Sequence, residues 1–319
     1  MQRLSTIIAG LFLFAAALAP AAQAADWPTR PVKVITPQPA GTGIDLAARL
    51  FAERLAIKWG QGVVVENRPG ADGVLGVTAF VNARDDHTLL FSFGSPITIT
   101  PVTSENKLPY DPIADLVPIG SVVDFILGFS AGTGTSIKTL PELEQAVRKD
   151  PDKFNWGATA GLPQFVFAGY VKKAKLSLSE VPYKDLTPAL MDLTSGRIQF
   201  FATSYASLRS TFDAQQARML VVLNGARAPQ MPDVPTMAEL GYPELSVDSF
   251  AGFFGGRGIN EEVRRKIAAD ISAIGQDPQI DERLNKFGIV TKVTGPEEFT
   301  AMIRKQGDTV VSILRSIGR

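Results

Sequence analysis

Apolar residues follow two alternating patterns along this chain. Short, nearly continuous apolar runs such as Val32–Thr36 and Thr88–Phe93 are typical of buried β-strands. Between them, apolar residues recur every three or four positions from 44 to 59, which indicates a helix with one buried face. The same patterns predict further strands at 63–66, 154–158, 198–202, 219–223 and 250–254, and a long extended stretch at 116–130. They predict further helices at 74–83, 139–149, 164–175, 187–194, 261–274 and 298–317.

Strand and helix alternate over most of the chain, which predicts an α/β fold of parallel sheets covered by helices on both faces. Such sheets bind ligands at the carboxyl ends of their strands, where the following helices begin. A threonine followed three residues later by a glutamate, at Thr139 and again at Thr294, predicts the caps of two of these helices.

The first 24 residues have the three parts of a secretory signal peptide. A single basic residue, Arg3, precedes an apolar stretch at 6–19, and the small-residue triplet ending at Ala24 provides a cleavage site. A transmembrane anchor is the alternative, but the apolar stretch is shorter than the roughly 20 residues that span a bilayer. We therefore expect residues 1–24 to be removed on export.

Composition excludes several classes of function. The 319 residues include 32 basic and 32 acidic side chains, so no net charge attracts nucleic acid. With no cysteine and one histidine, disulfides, thiol nucleophiles and multi-histidine metal sites are excluded. We expect no metal site and no cofactor.

The loop that follows the first strand is a candidate anion site. Glycines let its backbone turn sharply and present N–H groups at the start of a helix, where the helix dipole adds partial positive charge. An ordinary strand-to-helix turn capped by Thr42 or Asp45 is the alternative. The candidate ligand-binding residues here are Pro39, Ala40, Gly41, Thr42, Gly43 and Asp45.

A second loop of the same kind lies more than 110 residues later, again between a predicted strand and helix. Two such loops that face each other across a cleft would hold a small anion from both sides. The plain-turn alternative stays open here too. The candidates are Ala158, Thr159, Ala160 and Gly161, with Thr203 and Ser204 after a later strand as a third set.

Several segments resemble, in order, the periplasmic substrate-binding proteins of tripartite tricarboxylate transporters, the Bug family. The most specific segments are Glu66-Asn67-Arg68-Pro69-Gly70 and Pro232-Asp233-Val234-Pro235-Thr236. The other matching segments are 27–31, 39–45, 64–71, 108–112, 181–184 and 188–196.

The resemblance implies a two-domain periplasmic-binding-protein fold of type II with a ligand cleft between the domains. Domain 1 is expected at 25–124 plus 248–319 and domain 2 at 125–247. The family binds a ligand carboxylate in the two loops through backbone N–H groups and waters, by domain closure. The implied partners are a small organic carboxylate and membrane transporter subunits, and we expect a monomer. A sensor subunit that reports to a signalling partner is the alternative.

The chain departs from the family pattern in three places. The family's first loop usually has phenylalanine where Gln38 stands and a further glycine where Thr42 stands. The family's second loop usually carries a threonine and a downstream histidine, but this chain has Leu162 and Pro163 after Gly161. The loss of polar groups favours a ligand with an apolar body, an aromatic or medium-chain dicarboxylate rather than citrate. His87 stands where the family usually has glycine, and we interpret it as an exposed turn residue.

A serine hydrolase is the remaining alternative. The segment Gly128–Gly132 matches G-x-S-x-G around Ser130. In an α/β-hydrolase the histidine follows the serine, but His87 precedes it, so the order of the triad is wrong. We expect a binding protein and no enzyme.

Overall fold

The computed structural model describes residues 27–151, 153–183 and 185–319, so the predicted signal peptide at 1–24 lies outside the described residues. The described chain forms two β-sheets, of six and five strands, with helices between the strands. The predicted α/β class is therefore confirmed. No helix among these residues combines the length and the apolar character needed to cross a membrane.

The first sheet combines parallel and antiparallel strands in the order β11-β4-β10-β3-β1-β2. Strands β1, β2 and β3 are parallel, whereas β10 is antiparallel to both of its neighbours, so β4 runs in the same direction as β3. Its strands are β1 Val32–Thr36, β2 Val63–Asn67, β3 Thr88–Phe93, β4 Leu116–Phe125, β10 Phe250–Gly256 and β11 Ile289–Thr291.

The second sheet has the order β7-β6-β8-β5-β9. Its strand β5 is antiparallel to both neighbours, while β6 is parallel to β7 and β8. The prediction of wholly parallel sheets is thus wrong: β5 follows β4 after one residue, with no helical crossover to reverse the chain. The strands are β5 Leu127–Gly132, β6 Asn155–Ala158, β7 Ser179–Glu180, β8 Phe200–Ser204 and β9 Ala217–Val222.

The helices largely follow the predicted pattern, but several short helices and strand β11 were not predicted. Both sheets carry a core of buried apolar residues, and the last helix contacts both: Phe299 packs on Phe250 and Phe254, while Ile313 lies in the core of the second sheet. The helices are α1 Gly43–Trp59, α2 Val74–Ala83, α3 Thr100–Thr103, α4 Leu140–Lys149, α5 Leu162–Lys173, α6 Leu186–Ser195, α7 Tyr205–Asp213, α8 Glu261–Gly275, α9 Pro278–Asn285 and α10 Pro296–Ile317.

One of the two predicted helix caps is present. The Thr139 side chain accepts a hydrogen bond from the Glu142 amide at the start of α4. The cap of α10 is instead Gly295, because the Thr294 hydroxyl lies 2.8 Å from the Ser121 hydroxyl and ties this connection to β4. The capping prediction at Thr294 is therefore wrong.

His87 is buried, although the sequence predicts an exposed turn residue. Only 3% of the residue is exposed, and its Nε2 accepts a hydrogen bond of 3.0 Å from the Thr29 amide. Its Nδ1 lies 2.8 Å from the Asp86 carboxylate, and its ring lies 5.5 Å from that of Trp27. The prediction is wrong because residues 27–29, distant in sequence, cover the turn.

The chain crosses between the sheets at Ile126 and again between β9 and β10. Asn224 joins the two crossings. Its Nδ2 donates to the Asp124 carboxylate and to the Phe125 carbonyl, both at 3.0 Å, and its Oδ1 accepts from the Leu127 amide at 3.1 Å. One buried amide therefore holds the end of β4, the start of β5 and the second crossing together.

Three charged groups surround this junction. Lys292 lies 3.4 Å from Asp124 and 3.0 Å from Asp248, and the Asp248 carboxylate also accepts from the Gly225 amide. Burial and the nearby Asp248 charge raise the pKa of Asp124 to about 6, although Lys292 opposes the shift. Ionised Asp124 therefore lowers the free energy of unfolding at neutral pH.

We predict that Asp124→Asn changes how stability depends on pH. The pKa of Asp124 in the folded protein lies above the ordinary value of 3.8. The protonated carboxyl therefore contributes to the free energy of unfolding below pH 3.8, and this contribution is lost as pH rises through about 6. Asparagine keeps an acceptor for the Ser249 amide and does not titrate. Urea unfolding between about pH 4 and 8 should show the wild type losing stability relative to the variant.

The matched control is Asp150→Asn, at a carboxylate whose side chain is 47% exposed and which pairs with Lys153 at 3.4 Å. A difference in the free energy of unfolding between the wild type and Asp124→Asn that stays constant with pH would contradict the raised pKa of Asp124.

Candidate functional site

The carboxyl ends of the parallel strands in both sheets meet at the crossings. In the first sheet, β1 and β2 end side by side at Thr36 and Asn67, and β4 ends at Phe125 beside the start of β10. In the second sheet, β6 and β8 end beside Leu127, the first residue of β5. The edges where α/β sheets bind ligands therefore lie on either side of the same junction.

The first predicted loop, 37–45, connects β1 to α1 at this edge. Thr42 is the N-cap of α1: its hydroxyl accepts from the Asp45 amide at 3.3 Å and donates to the Pro39 carbonyl at 2.9 Å. Pro39, Ala40 and Gly41 are exposed, whereas Thr42 is half-buried. The cap and the candidate anion site thus occupy the same turn.

Asp45 is buried and its carboxylate is bound within the protein. It accepts from the Gly41 amide at 2.9 Å, from Arg49 Nε at 3.0 Å and from Asn67 Nδ2 at 2.7 Å. Burial alone would raise the pKa of this carboxyl, but the hydrogen bonds from Arg49, Asn67 and Gly41 lower it below its ordinary value. The charged Asp45 side chain therefore braces the loop from inside. It also accepts the hydrogen bond of the Gly41 amide, which the sequence analysis had proposed as a donor to a ligand.

Gly43 and Ile44 begin α1, and the first amides of a helix have no acceptor within the helix. They are the donors that this turn can offer to an anion, together with the dipole of a 17-residue helix. A β-carbon on Gly43 would lie 3.1 Å from Ile289 Cδ1 and 3.4 Å from Phe125 Cε1. Gly43 thus lets the helix start pack closely on β4 and β11.

The second loop and the third predicted set lie together at the edge of the second sheet. Ala158 pairs with Ala202, and the Thr159 hydroxyl donates to the Thr203 hydroxyl at 3.2 Å. Ser204 caps α7 by accepting from the Ser207 amide at 3.2 Å. Ala158 and Thr203 are buried, Thr159, Gly161 and Ser204 are half-buried, and Ala160 is exposed.

The crossing at 125–127 connects the predicted sets. The Phe125 ring contacts the first turn of α1 at Gly43, and Leu127 pairs with Ser204 two residues later. The Tyr205 amide donates to the Ile126 carbonyl at 2.8 Å. The structure therefore places the first loop and Ser204 beside the same short segment.

Two further loops reach the same edge and were missed by the sequence analysis. A π-helix, Ser95–Ile99, follows β3, and a 3₁₀ turn, Ala71–Gly73, follows β2. The Asp72 carboxylate joins them by accepting from the Ser95 hydroxyl at 2.5 Å and from the Thr100 hydroxyl at 3.2 Å. Irregular helical turns often lie at functional sites, but their sequence signal is too short to be read in advance.

A group of possible metal ligands lies at the other end of β3. One ligand atom from each of Asp85, Asp86 and His87 lies within 4.8 Å of the others. Arg30 pairs with both carboxylates, at 3.1 and 3.2 Å, and both ring nitrogens of His87 already have partners. These groups stabilise the turn and leave no free ligand set for a cation.

Ser130 has no access to a substrate. It lies inside β5, is fully buried, and its hydroxyl lies 3.4 Å from the Met219 sulfur. A hydrolase nucleophile requires a sharp strand-to-helix turn that exposes the hydroxyl. The G-x-S-x-G pattern in this chain is therefore part of a core strand.

Comparisons with known proteins agree with this architecture. A family model described as "Tripartite tricarboxylate transporter family receptor" matches residues 47–318. A UPF0065 protein of Bordetella bronchiseptica is 30% identical over 288 residues, which cover 90% of this chain and 85% of that protein.

Solved structures show the same fold. The periplasmic binding protein BugD has a TM-score of 0.72 and 27% identity, over 92% of this chain and 99% of its own. MatC from Rhodopseudomonas palustris, solved with bound malate, has a TM-score of 0.71 and 25% identity, over 90% of this chain and 100% of its own. The predicted resemblance and the periplasmic-binding-protein fold are confirmed.

We predict that Asp45→Asn lowers the free energy of unfolding by about 1–3 kcal/mol at neutral pH, because charged hydrogen bonds from Arg49 and Asn67 are weakened. The folded pKa of Asp45 is lowered, so this contribution is present above pH 3.8 and is lost as pH falls through the folded value. Urea unfolding should show the two proteins converging in acid.

Asp213→Asn is the control, since that carboxylate is 71% exposed and lies 3.8 Å from Arg209. Equal stabilities for Asp45→Asn and the wild type at neutral pH would show that the carboxylate does not brace the loop.

Proposed function

Because this chain belongs to the tripartite tricarboxylate transporter receptor (Bug) family, we propose that it captures a small organic carboxylate between its two sheets and delivers it to the membrane subunits of a transporter of that type. Capture takes place in the periplasm, after removal of residues 1–24. The receptors of this family are solute-binding proteins, a class without catalytic turnover, and the burial of Ser130 supports binding without hydrolysis.

The observation that carries the proposal is the position of the α1 N-terminus. Its first amides, at Gly43 and Ile44, start beside Phe125 at the junction of the two sheets. The Asp45 charge close to them is compensated by Arg49 and Asn67. An incoming carboxylate therefore meets unpaired donors and a favourable dipole instead of an unpaired negative charge. MatC, which has the same fold, contains malate.

Domain closure brings the second loop onto the ligand. We propose domain 1 at 25–124 plus 248–319 and domain 2 at 125–247, with the crossings as the hinge. The chain leaves the first sheet at Phe125 and returns to it at Phe250, which supports these boundaries. Thr159 and the amides of Ala160 and Gly161 then contact the ligand from domain 2, and binding from both sides stabilises the closed state.

The ligand proposed here has an apolar body, an aromatic or medium-chain dicarboxylate. Leu162 and Phe165, which follow the second loop, are buried in the core of the second sheet and offer no polar group to the cleft. The exposed residues of the two loops include the methyl groups of Ala40 and Ala160. Such methyl groups favour contact with an apolar ligand body.

We predict that the mature protein is stabilised against heat by one class of carboxylate. The panel is malate, citrate, adipate, benzoate and terephthalate, each compared with its uncharged amide. Adipate or terephthalate should raise the melting temperature saturably, and the amides should not, because the helix start binds the charge. Stabilisation by citrate far above that by adipate would contradict the apolar ligand, and no stabilisation by any acid would contradict carboxylate capture.

A pair of glycine variants locates the binding loop in the same assay. Gly41 and Gly196 both have positive φ, +83° and +79°, and a β-carbon on either meets no atom within 4 Å. Alanine therefore strains both positions similarly, by roughly 1 kcal/mol. Gly41→Ala strains the turn that precedes the start of α1 and should weaken carboxylate binding, while Gly196→Ala, at the end of α6, leaves it unchanged. Equal affinities of Gly41→Ala and the wild type would count against binding at this turn.

A further inference from the structure

Asn67, the last residue of β2, contacts both ends of the first loop. Its Nδ2 donates to the Gln38 carbonyl at 3.0 Å and to the Asp45 carboxylate at 2.7 Å. Its Oδ1 accepts from Arg49 at 2.9 Å. Both amide hydrogens and the amide oxygen therefore have partners, and the side chain spans the loop from residue 38 to residue 45.

The middle of the loop depends on this bridge. Pro39, Ala40 and Gly41 are exposed, and the Thr42 hydroxyl bonds back to Pro39 within the loop. Closer to β1, Pro37 is held by packing, since a β-carbon on Gly76 would lie 2.7 Å from its Cα. Asn67 links the segment beyond Pro37 to the sheet, because its side chain donates to the Gln38 carbonyl and to the Asp45 carboxylate.

From this geometry we infer that Asn67 is the positioning residue of the anion-binding loop: it fixes the start of α1 in the conformation that accepts a ligand carboxylate, without touching the ligand. The inference rests on the function proposed above. It assigns a role to Asn67, within the Glu66–Gly70 segment.

The chemistry of the bridge selects asparagine. The position requires two donors and one acceptor on a short side chain, which an amide supplies. Aspartate has the same shape but would place a second carboxylate 2.7 Å from Asp45, where the two charges repel. Alanine removes all three hydrogen bonds and leaves the Asp45 carboxylate with Arg49 and the Gly41 amide.

The experiment compares Asn67→Asp and Asn67→Ala with the wild type, with Asn106→Asp at an exposed asparagine as the matched control. Amide hydrogen exchange of the ligand-free proteins is measured over residues 38–45. Calorimetric titrations use malate, adipate and terephthalate as probes, between about pH 5 and 8. Exchange reports loop order without a ligand, so the positioning role is tested separately from carboxylate capture.

We expect faster exchange in residues 38–45 of both variants and affinity lower by about tenfold or more, with the control unchanged. In Asn67→Asp the loss should shrink relative to the wild type as pH falls, because a proton shared by the two carboxylates restores a donor. In Asn67→Ala the ratio of affinities should stay constant with pH. A residue that only stabilised the fold would not produce this difference between the variants.

Unchanged exchange in the variants would overturn the positioning role, and so would faster exchange with unchanged affinity. Failure of the wild type to bind any probe would contradict carboxylate capture, and with it the ligand-binding half of this inference. In that case, faster exchange of residues 38–45 in the variants than in the wild type would still support the role of Asn67 in ordering the loop.

Discussion

The buried amide of Asn224 is the contact on which the geometry of the junction between the two sheets depends. It holds the end of β4, the start of β5 and the second crossing through three hydrogen bonds. Because a buried amide that loses one partner is left unsatisfied, the three segments keep their relative positions. The start of α1 is packed on Phe125, and Ser204 pairs with Leu127, so both walls of the candidate site are placed from this junction.

Charge compensation in the first loop explains how an acidic residue can lie beside the candidate anion site. Asp45 would repel a carboxylate if it were free, but Arg49 and Asn67 bind it and burial separates it from the exposed turn. The same carboxylate orders the Gly41 amide and leaves the following helix amides for a ligand. A buried negative charge with fixed partners thus orders the turn that we propose binds a carboxylate.

Much of the fold could be predicted from periodicity. The strand at 32–36 and the helix at 74–83 match the structure residue for residue, because each is a local pattern of burial. Strand β11 has three residues and α7 has a mostly polar face, so neither produces a readable pattern. The antiparallel direction of β5 depends on a one-residue connection, whose effect appears only once the partner strands are known.

The position of the candidate loops could also be predicted, but not which of their hydrogen-bond donors already have partners within the protein. The glycines and the change from strand to helix indicate the loop at 37–45. The Gly41 amide, however, donates to Asp45, whose position is fixed by hydrogen bonds from Asn67 and Arg49. His87 shows the same limit, since its burial comes from residues 58 positions earlier. Contacts between distant segments decide which donors remain available.

The most direct test is nuclear magnetic resonance of the amides at the start of α1 while adipate or terephthalate is added to the isotope-labelled mature protein. The account predicts that the Gly43 and Ile44 amide resonances move saturably to lower field, as expected for donors to a carboxylate, together with those of Ala160 and Gly161. Saturation of binding with the Gly43 and Ile44 resonances unmoved would contradict it, since the carboxylate would then be held elsewhere.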